Sequence, residues 1–236
     1  MKKIILFVIA IVFFVSCVGV SADENTQEAY HLHHHYQSFS DMVFAPASRL
    51  FYETTLQGLS ARTTHIVRGR MGDDARISLG FSDHEPPRLS TGSNLVSFEI
   101  LEVLYGDLVV GDTITLVEPY YIVPFDILEA NRFNVEGMDR SGDGVFFTYV
   151  NYLPSIPHQE YIFFLTPPFS DDIPGIREEL LGGFPVVHGE RSRFRIPADT
   201  RARVEGFDAV ELSLSPYVNF DSYMQLWQEV MDAFVN

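Results

Sequence analysis

Between Val96 and Glu118 two runs of apolar residues recur at every second position, and that period commits them to strands. Val96, Phe98 and Ile100 alternate with Ser97 and Glu99, as in a strand with one buried face. The phase then slips, and Leu101, Val103 and Tyr105 become the apolar set. A β-bulge makes such a slip, and so does a strand buried on both faces. Gly106-Asp107 and Gly111-Asp112 bracket Leu108, Val109 and Val110. Glycine admits positive φ and aspartate bonds its own backbone in turns, so a polar turn is expected here. Ile114 and Leu116 alternate with Thr113 and Thr115 and supply the partner strand.

Other segments extend the sheet. Residues 64–71 read as the first core strand, 145–152 and 160–166 as two more, and Tyr161-Ile-Phe-Phe-Leu165 is apolar on both faces, which places it centrally. A final hairpin is expected from 184–188 and 192–196, turning at Gly189-Glu190. Residues 83–94 read as a loop, with Pro86-Pro87 and Thr91-Gly92-Ser93-Asn94. Residues 119–144 read as an insertion in which Asp126 caps a short helix through Arg132. Helices are expected over 47–63, with Leu50, Phe51, Leu56 and Leu59 on one face, and over 219–235. The second is capped by Asp221 and carries a stripe of Phe220, Tyr223, Met224, Trp227, Val230, Met231 and Phe234.

The N-terminus reads as an export signal. Lys2 and Lys3 precede an unbroken apolar run, Ile4 to Val15, too short to span a bilayer comfortably. Phe14-Val-Ser-Cys17 places the single cysteine where bacterial lipoproteins are lipidated, with Phe14 a departure from the usual aliphatic residue. The competing cut follows Val20-Ser-Ala22 and would release a secreted chain. With one cysteine no internal disulfide forms, so the exported domain rests on its core. The expected organisation is a leader over 1–22, a polar tether over 23–46, and one domain over 47–236.

Charge excludes several functions. The formal net charge is −16, and no lysine follows Lys3. Such a body disfavours nucleic acid, whose phosphates need clustered cations. A chain without lysine beyond its leader has no Schiff base, catalytic amine or P-loop lysine.

Four groups of side chains carry chemistry. His31, His33, His34 and His35 bring three imidazoles together in either an extended or a helical tether, a set suited to Zn²⁺, Ni²⁺ or Cu²⁺. The alternative is a solvated linker. Asp139, Ser141 and Asp143 followed by Gly144 match the first half of a calcium loop, but Val150 stands where the bidentate Glu belongs, and a plain turn is the other reading. Arg191, Arg193 and Arg195 alternate with Ser192 and Phe194, and Arg201 and Arg203 follow. They predict three guanidiniums on one strand face, either gripping an anionic ligand or paired with the chain's own carboxylates. Tyr120, Tyr121 and Phe125 of the insertion would complete that ligand surface. His65, His158 and His188 are isolated, and no Gly-x-Ser-x-Gly or His-Glu-x-x-His motif occurs.

The run Ile66-Val-Arg-Gly69, the strand Phe98 to Tyr105 with Gly106-Asp107 and Gly111-Asp112, Tyr161 to Leu165 and a late Gly-x-Phe together resemble exported bacterial lipoproteins. Those look like closed β-barrels of the OB type, similar to the netrin-like domain of tissue inhibitors of metalloproteinases. The resemblance covers about Thr64 to Pro197. It implies a mostly β fold, a small closed OB-like barrel with flanking N-terminal and C-terminal helices. Inhibitory activity is not implied, because those inhibitors need an N-terminal cysteine framework that Cys17 alone cannot supply. The expected function is a non-catalytic binding lipoprotein, anchored to the membrane by lipid, with an unknown protein or envelope ligand and no cofactor beyond weakly held Zn or Ni. Metal capture by the tether and an unrecognised secreted hydrolase are the alternatives.

Overall fold

The computed structural model describes residues 39–45, 55–82, 85, 87–133, 135, 136, 138, 140, 144–149, 152–186, 189–196 and 220–235. In chain order these form β1 (Phe39–Ala45), α1 (Leu56–Ser60), β2 (His65–Met71), β3 (Arg76–Phe81), β4 (Leu89–Tyr105) and β5 (Thr113–Glu118). Then follow β6 (Tyr120–Pro124), α2 (Phe125–Ala130), β7 (Gly144–Tyr149), β8 (Glu160–Leu165), β9 (Phe184–Pro185), β10 (Arg193–Ile196) and α3 (Phe220–Phe234). The fold is mostly β. A large sheet runs β10-β8-β2-β4-β5-β9 with β3 also on β4, and a small sheet runs β1-β7-β6.

Neither sheet closes, which corrects the expected barrel. The chain leaves the large sheet after Glu118: residues at the start of the expected insertion form β6, which pairs antiparallel with β7, the strand expected from 145–152, to build the small sheet. The large sheet therefore ends on β10 and on the two-residue β9.

Strand β4 carries the slip seen in the sequence. Glu102 pairs with Arg68 and Ile100 with Gly69, so Leu101 is an extra residue, and Leu104 is a second one between Val103 and Tyr105. Each insertion flips the inward face. Val96, Phe98 and Ile100 enter the core between the sheets, and Val103 packs against it. Leu104 packs instead on the opposite face of the sheet.

Two cores result. Between the sheets, Val67, Phe98, Leu116, Phe163 and Leu165 meet Tyr120, Ile122 and Phe146 of the small sheet. Across the large sheet, Ile66, Ile162, Phe164, Phe194 and Ile196 lie under Tyr223, Leu226, Trp227, Val230 and Met231 of α3, with Leu59 of α1 beside them. Strand β8 faces both, which is why its run has no polar alternation.

Other boundaries moved. The expected tether ends early, because 39–45 is a strand parallel to β7. The expected helix over 47–63 is α1 alone among the described residues, with the Thr55 hydroxyl accepting from the Gly58 N–H at 3.1 Å. Strand β3 was missed, and β4 already begins at Leu89 inside the expected loop. The insertion is not a protrusion: β6 is a buried strand and α2 follows it without a side-chain cap. Among the described residues the expected final hairpin is not formed: β9 runs parallel to β5, and β10 pairs with β8. The leader and the rest of the tether lie outside the described residues.

Burial pushes the hydroxyls of Tyr121, Tyr152 and Tyr161 above their ordinary pKa of 10.0. The unfolded chain then loses these protons before the native state does. Stability is fully present below pH 10 and falls as pH rises beyond it. Tyrosinate absorbance should show these tyrosines ionising in one step, together with loss of the β circular dichroism signal. Smooth ionisation of every tyrosine with the fold intact would overturn this.

Candidate functional site

Ionisable groups converge inside the molecule at one place. Glu118 ends β5 and pairs with Asn94 of β4 across the ladder. Tyr152 and Ser155 lie on the segment between β7 and β8, and Arg193 opens β10. The Glu118 and Arg193 side chains are each 1% exposed.

Four donors face the carboxylate. Oε1 accepts from Tyr152 Oη at 2.6 Å, Ser155 Oγ at 2.5 Å and the Ser155 backbone N–H at 3.1 Å. Oε2 accepts from Asn94 Nδ2 at 3.0 Å. That set matches an acceptor-only carboxylate. Arg193 Nη1 donates to Tyr152 Oη at 3.1 Å, Ser155 Oγ at 2.9 Å and the Leu153 carbonyl at 2.8 Å. Its distance to Glu118 Oε1 is 3.9 Å. Each hydroxyl thus accepts from the guanidinium and donates to the carboxylate, bridging the pair. The guanidinium carbon also lies 4.5 Å from the Tyr152 ring centre and 5.6 Å from that of Tyr161. Charges this deep interact strongly and are costly to leave unpaired. The cluster joins β5, the 152–155 segment and β10 in the interior.

Arg193 is therefore not part of a solvated face, which corrects that reading. The alternation mislocated it because β10 is covered on both sides. Arg195 Nη2 reaches Gln159 Oε1 at 3.0 Å, and Arg191 Nη2 lies 3.4 Å from Ser222 Oγ. Tyr120 and Tyr121 are core residues, stacked on Phe146 and Phe147 at 5.3 Å each. Phe125 is half-buried under Arg140, whose guanidinium carbon is 5.2 Å from its ring centre. The six residues expected to share one ligand surface are thus divided: Tyr120 lies in the core between the sheets, Tyr121 and Phe125 in a separate cluster with Val123, Leu128 and Val145, and the arginines on and beside β10. Cys17, His31, His33, His34, His35, Asp139, Ser141, Asp143, His188, Arg201 and Arg203 lie outside the described residues. Among the described residues no three His, Cys, Asp or Glu side chains are grouped to hold a metal.

His65 Nε2 is 2.9 Å from Asp107 Oδ1, and its Nδ1 is 2.9 Å from Thr64 Oγ1. The His65 bond holds the Asp107 carboxyl below the ordinary carboxylate range. Thr64 Oγ1 also lies 3.2 Å from the Leu165 carbonyl, and the imidazole stands edge-on to Phe184 at 5.6 Å. These contacts pin the β4–β5 turn to the start of β2. His158 lies apart, 3.5 Å from Asp73 at the surface.

The turn so pinned was expected to be polar, but it presents apolar side chains to solvent. Leu108 packs against the core, while Tyr105, Val109 and Val110 are each 59% exposed. Gly106 and Gly111 take φ of 102° and 91°, values open to glycine and strained for a β-branched residue. Backbone bonds from Gly111 N to Ile100 O (2.8 Å), Ile100 N to Asp112 O (2.9 Å) and Asp112 N to Val109 O (3.2 Å) close the turn. Three apolar residues between two Gly-Asp pairs were the available signal, since a solvated turn has no need of them. Comparison with protein-family models, curated proteins and solved structures finds no match to this chain.

Proposed function

We propose that the chain is a non-catalytic binding module, held at the cell envelope by lipid on Cys17, and that the β4–β5 turn meets its partner. The observation carrying this reading is the turn itself, an exposed apolar pair held by backbone bonds and by the half-buried Leu108, which packs against the core. Apolar side chains that contribute nothing to the core and are pre-ordered at the surface suit recognition, because little entropy is lost on docking. The buried Glu118–Arg193 cluster supports the non-catalytic half, since both groups are enclosed and already bonded to neighbours.

Two measurements test it. In the native host, wild-type protein should fractionate with membranes and Cys17→Ser should not. A soluble wild type, or a membrane-bound variant, defeats the anchor. The immobilised 47–236 region with its preceding tether should retain an envelope component saturably. Failure to retain any component defeats the binding reading.

A further inference from the structure

We infer that the β4–β5 turn inserts Val109 and Val110 into an apolar pocket on a partner protein, and that this pocket is rimmed by arginine or lysine. The inference rests on the binding-module reading and names the partner's chemistry.

The rim follows from charge. Asp107 and Asp112 lie in the same turn as the two valines, and the Asp107 side chain is 95% exposed despite its contact with His65. Any surface that covers the valines must also receive two carboxylates. A cationic rim does so with charge-assisted bonds. It also steers an acidic chain of net charge −16 toward the pocket.

The other occupants fit worse. An anionic bilayer repels this turn, and inserting the valines would press both aspartates into the headgroup layer. A second copy of this chain would bring acidic turn to acidic body. Its surface arginines near the turn are engaged by its own carboxylates: Arg68 with Glu160 at 2.8 Å and Glu102 at 3.8 Å, and Arg70 with Glu160 at 3.4 Å and Glu99 at 3.8 Å. Like-charge juxtaposition at the turn opposes self-association.

The test uses full-length protein in its native envelope, with a photo-crosslinking residue at position 109. The expected result is one protein adduct. That protein, purified, is then titrated against wild type, Val109→Asp/Val110→Asp and Asp112→Asn. The double variant should bind at least about tenfold more weakly, although its added negative charge would strengthen any attraction due to bulk charge alone. Asp112→Asn should associate more slowly and with a shallower salt dependence. Urea midpoints of all three should agree, because the altered residues are exposed. Adducts with lipid, with a second copy, or with nothing would overturn the inference. So would a double variant that binds as well as wild type. If the immobilised wild type still retains an envelope component, the binding reading stands and only the turn loses its role. If nothing is retained, the reading itself has failed.

Discussion

Arg193→Ala is expected to destabilise the protein by about 3–5 kcal/mol, the cost of leaving one partner of a buried pair without the other. The change strands Glu118 in the interior and removes the donor to Tyr152, Ser155 and the Leu153 carbonyl together. It also removes the cation that lies over the rings of Tyr152 and Tyr161. Arg193→Met combined with Glu118→Leu should cost less than the sum of the two single changes, because neither variant side chain then leaves a buried charge behind. Urea unfolding of the four proteins closes the cycle. A loss below about 1 kcal/mol for Arg193→Ala would place the guanidinium in water and contradict the buried bridge.

Trp227→Ala should cost about 3–5 kcal/mol, the range for deleting a buried aromatic side chain. The indole is buried in the core beneath α3, and its Nε1 donates to the Arg195 carbonyl at 2.9 Å. One turn earlier Tyr223 donates to the Arg193 carbonyl at 3.0 Å. The helix therefore holds β10 by side-chain hydrogen bonds to its carbonyls as well as by packing, although β10 is an edge of the sheet. Trp227 is the single tryptophan, so native fluorescence reports this contact alone. A blue-shifted emission that reddens only with global unfolding is expected. Water-exposed emission from the native protein would rule out the packing of α3.

Periodicity recovered what is local. The slip after Ile100 marked the bulge at Leu101, the apolar run at Tyr161 marked a strand covered on both sides, and the stripe of 223, 227, 230 and 231 marked the inner face of α3. Each is a statement about which way neighbouring side chains point, and the backbone's own repeat sets that. Gly106 and Gly111 likewise announced positive φ from their identity alone. Strand β3 was legible too, in the alternation of Ile77, Leu79 and Phe81, but the short segment was passed over.

Pairing was not local. Tyr120 to Pro124 stood inside the expected insertion, and only its packing in one cluster with Phe98 and Leu116 decides that it is a strand of a second layer. The closed barrel failed for that reason. Arg193 shows the same limit at the level of one residue. Its place in an alternating strand says that it opposes Phe194, and the usual cost of burying a guanidinium says that it faces water. That cost is offset by Glu118, Tyr152 and Ser155, brought to it from distant parts of the chain. The sequence by itself determined most strands of the large sheet, the phase slip, the turn and the amphipathic helix, because those follow from steric limits and a repeat of a few residues. The tertiary structure alone decided which strands became neighbours and which charge was buried, because both depend on free energies shared between residues far apart in sequence.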